Sequence, residues 1–153
     1  MAALFGTNTI TQVAIICKDI VATKNKFAEF FGVEPPPHFD GGKYEVTGTT
    51  YFGQPAPRAN ALLSFFSIGE NLALELIQPN GEKSTWQDFL DEKGEGLHHI
   101  AFGVKNMDAQ IAAGEKFGMK LTQRGKYGDA SGEYAYLDAT KDLKCFIELL
   151  ESF

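Results

Sequence analysis

Two glutamates stand in the middle of otherwise apolar segments that are predicted to be β-strands. Glu75 lies within Leu-Ala-Leu-Glu-Leu-Ile, and Glu148 lies within Phe-Ile-Glu-Leu-Leu. Burying a carboxylate costs free energy unless the group is paired, protonated or bound to a metal ion. A single such glutamate is equally well explained by an edge strand that faces water, but two in such similar strands favour a shared chemical role.

The two strands close the two copies of a repeated sequence pattern. Each copy begins with an apolar, β-prone run that ends in Lys followed by Asp or Asn, and the latter two are good helix N-caps. A helical stretch with an apolar side follows and stops at a glycine. The segments are 11–19, 20–31 and Gly32 in the first copy, and 98–106, 107–117 and Gly118 in the second.

The remaining segments complete two modules of the same type. The first copy has a longer insert, with strands predicted at 44–52 and 61–68 around a loop rich in glycine and proline. Strands at 120–125 and 133–137 fill the same roles in the second copy. The sequence therefore predicts an α+β protein of two tandem βαβββ modules, residues 8–79 and 97–153, joined at 80–96 by a helix with a capping box at Ser84 and Gln87 and a loop.

Alternation along the first strand of each module separates a polar face from an apolar face. Gln12 shares its face with Ala14, and His99 shares its face with Ala101 and Gly103. Small residues beside a polar group leave room for a ligand, so these faces predict a cavity, whereas the opposite faces are expected to seat the two helices. By the same alternation, His98 is expected to point away from His99 in a structural or rim-exposed position.

The doubled pattern resembles the vicinal oxygen chelate superfamily, which includes glyoxalase I, methylmalonyl-CoA epimerase, extradiol dioxygenases and fosfomycin-resistance enzymes. The resemblance extends over residues 10–151. The segment 94–102, Gly-Glu-Gly-Leu-His-His-Ile-Ala-Phe, is especially similar to the opening of the second module in methylmalonyl-CoA epimerases. The resemblance to the superfamily implies a curved mixed sheet around a central metal cavity. The ligands of the metal ion would be Gln12, Glu75, His99 and Glu148.

One imidazole, one amide and two carboxylates suit a single divalent ion of Zn, Ni, Co, Mn or Fe. Two carboxylates neutralise its charge, and four protein ligands leave positions for a bidentate substrate. Epimerases of this type usually have histidine in place of Gln12, whereas some glyoxalase I enzymes have the ligand set found here. A ring-cleavage dioxygenase normally requires two histidines and one carboxylate, so Gln12 disfavours that alternative.

The resemblance also implies a reaction, in which a base removes the proton next to a metal-bound carbonyl and an enolate forms. Glu148 is the expected base, Glu75 is the second candidate, and Glu45 in the insert is a candidate acid on the opposite face. The expected substrate is an acyl-CoA, a glutathione adduct or another carbonyl compound, for an isomerase, epimerase or lyase. A metal-free, drug-sequestering protein of the same fold is the alternative, although it would not need two glutamates in its strands.

Other residues have weaker functional interpretations. Six aromatic side chains could line a pocket, although aromatic residues of a small protein more often belong to the core: Tyr44, Phe52, Phe65, Tyr127, Tyr134 and Tyr136. Three cations could meet an anionic substrate but are more simply solvated surface charges: Arg58, Arg124 and Lys126. His38, in a proline-rich loop, is expected to be exposed.

Composition limits the class of protein. A net charge of −6 and a pI near 5.0 argue against nucleic-acid binding, which requires a basic face. No apolar run is long enough to cross a bilayer, and the N-terminus lacks a cleavable signal. Cys17 and Cys145 indicate small core residues in a reducing compartment, so a cytoplasmic protein is predicted. The related fold usually forms a homodimer, which is expected here.

Overall fold

The computed structural model describes residues 1–153 as a mixed α+β fold of ten strands and four helices. The elements of the first half are β1 (Gln12–Ile16), α1 (Ile20–Phe31), β2 (His38–Asp40), α2 (Tyr44–Thr47), β3 (Thr50–Tyr51), β4 (Gln54–Pro55), β5 (Ala61–Gly69) and β6 (Leu72–Pro79). Those of the second half are α3 (Thr85–Lys93), β7 (Gly96–Gly103), α4 (Met107–Phe117), β8 (Lys120–Lys126), β9 (Gly132–Asp138) and β10 (Phe146–Ser152).

All the strands form one curved, unclosed sheet in the order β2-β5-β6-β1-β7-β10-β9-β8-β3-β4. At its centre the first strands of the two repeats, β1 and β7, run antiparallel. Each is also parallel to the last strand of its own repeat, β6 or β10. This symmetry about the β1–β7 pair confirms the predicted fold of two βαβββ units.

The strand predicted at 44–52 is wrong in its first part. Residues 44–47 form the helical turn α2, which ends at Gly48 in the left-handed region with φ +54°. The β-prone residues there favoured a strand, but a left-handed glycine readily closes a helical turn. Only β3 is extended, and it pairs with β8 of the second repeat. The strand that pairs with the outer edge of β5 is instead the short β2.

The long helices span the predicted residues, with one difference in capping. Asp19 caps α1 as expected, because its side chain accepts a hydrogen bond from Ala22 N. Asn106 does not cap α4 with its side chain and has φ +62°. The carboxylate of Glu151 instead accepts hydrogen bonds from the backbone N–H groups of Asn106 and Met107, at 2.9 and 2.8 Å. A residue from β10 therefore accepts the hydrogen bonds of backbone N–H groups that have no partner within α4.

Three apolar clusters fix the helices to the sheet. One joins α1 to the outer face of β1 and β6, and another joins α4 to β9 and β10. The third lies under α3, where Trp86 packs with Ile16 and Tyr136. Each large apolar side chain buried in this way contributes roughly 1.5–3 kcal/mol to the free energy of unfolding.

Cys17 is buried and Cys145 partly buried, both as free thiols. None of the helices combines the length and the apolar character that crossing a membrane requires.

Candidate metal centre

The four central strands each contribute one polar side chain to a common point. These side chains, called the polar cluster below, are Gln12 of β1, Glu75 of β6, His99 of β7 and Glu148 of β10. Small residues lie between them: Ala14 is paired with both Glu75 and His99, and Ala101 is paired with Gln12 and Glu148. Both alanines are completely buried. The small residues that the sequence placed beside polar groups therefore provide the space in which the polar cluster meets.

The side-chain ends of the polar cluster are close enough to share one small ion. Nε2 of His99 lies 3.0 Å from Oε2 of Glu148 and 3.4 Å from Oε2 of Glu75. The inward end of the Gln12 amide lies 3.0 Å from Oε2 of Glu148 and 3.2 Å from Oε2 of Glu75. Ligands bonded to one cation at about 2.1 Å are themselves separated by roughly 3.0–3.4 Å. The spacing of the cluster fits a bound metal ion.

The polar cluster is almost completely removed from water. The exposed fractions are 5% for Glu75, 2% for His99 and 4% for Glu148. Burial raises the pKa of Glu75; the contact with His99 opposes this rise and the charge of Glu148 reinforces it. Burial alone would lower the pKa of His99, but Glu148 and Glu75 outweigh it and raise the pKa to about 9. The cluster thus retains protons that a divalent ion would replace.

Two further observations indicate that the donor set fits a cation. Nε2 of His99 has no hydrogen-bond partner, because the nearby oxygen of Glu148 does not lie along a hydrogen-bond direction. The Gln12 amide can interact with the rest of the cluster both when an ion is bound and when it is not. Its nitrogen can donate to both carboxylates when no ion is bound, and its oxygen is a ligand for an ion that holds the carboxylates together.

His98 is buried against the polar cluster, contrary to the prediction that it points away from His99. Ala14 pairs with His99 and Ile15 pairs with Leu97, so a β-bulge leaves His98 without a partner on β1. A bulge breaks the alternation of side chains along a strand. As a result, Nδ1 of His98 lies 2.8 Å from Nδ1 of His99, and the His98 ring is completely buried.

Three residues of the polar cluster, Gln12, Glu75 and Glu148, line the inner end of a cavity of about 620 Å³, a size suited to a small organic molecule. Aromatic side chains line both sides of it. Tyr136 lies beside the cluster, with its ring centroid 5.0 Å from that of His99. Trp86 also lines the cavity, and its Nε1 donates a hydrogen bond of 3.0 Å to the Tyr136 hydroxyl. Farther out, the rings of Phe39 and Phe65 stack with centroids 5.8 Å apart.

Four of the six aromatic residues considered as pocket lining do line the cavity, and two do not. The four are Phe65, Tyr127, Tyr134 and Tyr136; the others are Tyr44 and Phe52. Sequence reasoning did not place Trp86 in the cavity, although the amphipathic pattern of α3 was the signal that it faces the sheet. It missed Phe39 because β2 has three residues, too few for a periodic pattern.

The charged candidates are distributed differently. Glu45 is exposed on α2 and is not among the residues lining the cavity, so the structure does not bring it to the polar cluster. Lys126 lines the outer part of the cavity. Arg58 and Arg124 form ion pairs with acidic side chains outside it. His38 is exposed, as expected, although it lies on β2.

A curved sheet with buried donor residues on its central strands is the arrangement of the vicinal oxygen chelate fold. Residues 11–136 match the Glyoxalase/Bleomycin resistance protein/Dioxygenase superfamily, and the chain belongs to this family. This match confirms the resemblance predicted from the sequence.

Individual relatives are more distant. The chain is 33% identical over 90 residues to the uncharacterized protein YqjC of Bacillus subtilis (strain 168). These residues make up 58% of this chain and 64% of YqjC. It therefore spans less than two thirds of that curated relative. Methylmalonyl-CoA epimerase from Mycobacterium tuberculosis has a TM-score of 0.67 at 19% identity, covering 100% of this chain and 93% of the epimerase. A Streptomyces coelicolor methylmalonyl-CoA epimerase variant in complex with 2-nitronate-propionyl-CoA has a TM-score of 0.64 at 23% identity, covering 94% and 96%. These structures share the fold.

Proposed function

We propose that this protein is a metal-dependent isomerase, epimerase or lyase that removes a proton from the carbon next to a carbonyl group. The observation that carries the proposal is the convergence of four donor side chains from four strands, three of which line the cavity. One divalent ion of Zn, Ni, Co, Mn or Fe would be held by Gln12, Glu75, His99 and Glu148. Such an ion, when bound, stabilises the negative charge that develops on the carbonyl oxygen as the proton leaves.

Glu148 is the proposed proton acceptor. Its side chain belongs to the polar cluster and also lines the cavity, so its carboxylate borders the space available to a substrate. Glu75 lines the same cavity and is the second candidate. The carboxylate that accepts the proton can then return it to the same or a neighbouring carbon. The aromatic walls exclude water from the reacting carbon.

The polar cluster also weighs against the two alternatives. A protein that only sequesters small molecules gains nothing from burying two carboxylates, since an apolar floor would cost less free energy. A ring-cleavage dioxygenase normally uses two histidines and one carboxylate, and the only histidine that faces both carboxylates is His99. Membership of this family and a fold shared with epimerases support the proposal that the protein is an enzyme.

Metal analysis and proton exchange test this proposal together. The purified protein is expected to contain one divalent ion per chain. In heavy water it should catalyse deuterium incorporation next to the carbonyl of at least one compound among methylmalonyl-CoA, a glutathione hemithioacetal and 2-hydroxyacetophenone, followed by ¹H NMR. No exchange with any of the three, with each of the five metals added, would reject it. A reaction that consumes oxygen would indicate ring cleavage instead.

His98 is expected to orient His99 for metal binding. Burial, followed by the charge of His99, lowers the pKa of His98, so His98 is neutral and we assign its Nδ1 as acceptor of the Nδ1–H of His99. That bond fixes the tautomer in which Nε2 of His99 binds an ion. His98→Phe keeps the stacking on Phe146, where the ring centroids are 4.8 Å apart, but removes the acceptor. Zinc affinity should fall about 10- to 100-fold, measured by competition with a chromophoric chelator.

Two measurements separate this role from packing alone. His98→Asn supplies an acceptor oxygen near the same place and should recover most of the zinc affinity lost in His98→Phe. The ¹⁵N NMR spectrum of the zinc-loaded protein should show His99 protonated on Nδ1. Unchanged zinc affinity in His98→Phe would contradict the assignment.

A further inference from the structure

The outer end of the cavity carries two carboxylates that the proposed reaction does not use. Asp40 and Asp129 both line the cavity and are exposed. Asp40 accepts hydrogen bonds from Nδ2 of Asn60 at 2.9 and 3.0 Å and from Gly42 N at 2.7 Å. Oδ1 of Asp129 accepts bonds from the Oγ and N of Ser131, at 2.6 and 2.9 Å, and these bonds lower the pKa of Asp129. Both groups are fixed in place.

The two carboxylates flank one opening, because the segments that carry them touch. A methyl group added to Gly42 would lie 2.5 Å from Cα of Gly128, so the backbones on the two sides are in contact. Asp40 precedes this contact on one segment, and Asp129 follows it on the other. This exposed end of the cavity, with Asp40, Lys126 and Asp129, is called the mouth below.

The charge at the mouth opposes an anionic ligand. Lys126 is the only cation that lines the cavity, against Asp40 and Asp129 at the mouth. The whole chain also has a net charge of −6. Phosphates and carboxylates are bound where arginine, lysine or free backbone N–H groups converge. At this mouth the N–H groups of Gly42 and Ser131 are already bonded to the aspartates.

The body of the cavity, in contrast, suits a flat apolar group. Phe39 and Phe65 stack on one side. On the other, the ring of Tyr134 lies 6.1 Å from Trp86 and 5.3 Å from Tyr136, measured between centroids. Aromatic walls favour flat ligands by stacking and by burial of apolar surface.

We propose that the substrate is a carbonyl compound with an aromatic or similarly flat apolar body and no negative charge at the end that lies in the mouth. The inference rests on the proposed function, because the polar cluster assigns the carbonyl group to the inner end. The preferred substrate is then an uncharged or cationic molecule, rather than a polyanionic conjugate such as an acyl-CoA.

Three matched ketones test the charge preference. Methyl 4-acetylbenzoate, 4-acetylbenzoate and 4-acetylphenyl-trimethylammonium share one aryl ketone and carry a charge of zero, minus one and plus one at the far end. Trp86 is the only tryptophan of the chain and lines the cavity, so quenching of its fluorescence reports binding. The neutral ketone should bind about five- to tenfold more tightly than the anion at low ionic strength, and the cation at least as tightly as the neutral ketone. Discrimination should largely vanish in 1 M NaCl.

Paired variants locate the discrimination at the mouth. The double variant Asp40→Asn/Asp129→Asn should reduce the preference for the neutral ketone over the anion to about twofold or less. The double variant Glu34→Gln/Asp142→Asn makes the same change of net charge at exposed positions outside the cavity, and should leave the preference unchanged. Equal or tighter binding of the anion by the natural protein, or no quenching by any of the three ketones, overturns the proposal.

The same proteins distinguish failure of this inference from failure of the proposed function. The charge preference depends on the mouth, so it should persist after the metal has been removed, whereas proton exchange should not. If the protein exchanges protons of methylmalonyl-CoA faster than those of 2-hydroxyacetophenone, the proposed function stands and the inference about the substrate is wrong. If the protein shows the charge preference but no exchange activity, the proposed function is wrong.

Discussion

Glu148→Gln is expected to lower the rate of proton exchange next to the substrate carbonyl by about 10³-fold, because an amide cannot accept the proton. The amide oxygen can still bind an ion, so zinc affinity should fall much less than the rate. The two effects are separated by measuring exchange at saturating zinc by ¹H NMR and zinc affinity by competition titration. A loss of rate at full metal occupancy identifies Glu148 as the base rather than only a ligand.

Glu75→Gln provides the matched control. It removes the same charge from the same buried polar cluster, with 5% exposure for Glu75 and 4% for Glu148. Metal affinity should fall in both variants, whereas exchange at saturating zinc should fall more than tenfold further in Glu148→Gln than in Glu75→Gln. Exchange within tenfold of the natural protein in Glu148→Gln would remove Glu148 as the base. The reverse ranking would transfer that role to Glu75.

The repeated elements were predictable because their signals are local. Apolar alternation defined β1 and β7, and helical periodicity between an N-cap and a left-handed glycine defined α1. The pairing of equivalent strands in two repeats then followed from the duplication, since each unit must bury its apolar face against its neighbour. This reasoning was sufficient to predict which strands carry the polar cluster.

The insert of the first repeat was harder to predict because its structure depends on distant contacts. The β3–β4 hairpin pairs with β8 of the other repeat, a contact that no local pattern indicates. Residues 44–47 have β-prone side chains, yet α2 forms because Gly48 accepts a left-handed backbone and Thr47 is buried, with its hydroxyl 2.9 Å from that of Thr49. Propensity is a weak prior where tertiary contacts decide.

The candidate site shows the same division between local and distant information. Alternation places Gln12 and His99 on one face beside small residues, and the structure brings both to the two glutamates. Alternation also placed His98 on the other face, because a single inserted residue in the β1–β7 ladder leaves no trace in the sequence. The identity of the metal, the homodimer and the cytoplasmic location concern partners and surroundings outside the chain, and they stay predictions.

Removal of the metal is expected to lower the melting temperature by about 10 °C. Without a cation, the protein buries two carboxylates and an imidazole whose exposed fractions are all 5% or less, an arrangement that is unfavourable unless the charges are neutralised. A ligand present at 1,000 times its Kd stabilises the folded state by about 4 kcal/mol. For a chain of 153 residues, each kcal/mol shifts the melting temperature by roughly 2–4 °C. Scanning calorimetry before and after dialysis against a chelator measures the difference.

Two histidine variants show whether this stabilisation comes from the polar cluster. His99→Ala removes the imidazole ligand, so its melting temperature should no longer respond to added zinc. His38→Ala removes an exposed histidine of β2 that lies outside the cavity, and its response should match that of the natural protein. If His99→Ala still gained several degrees on addition of zinc, the ion would be bound elsewhere and the polar cluster would need another explanation, such as a shared proton between Glu75 and Glu148. A response lost in His99→Ala and kept in His38→Ala would locate the ion at the centre of the sheet, where the two repeats meet.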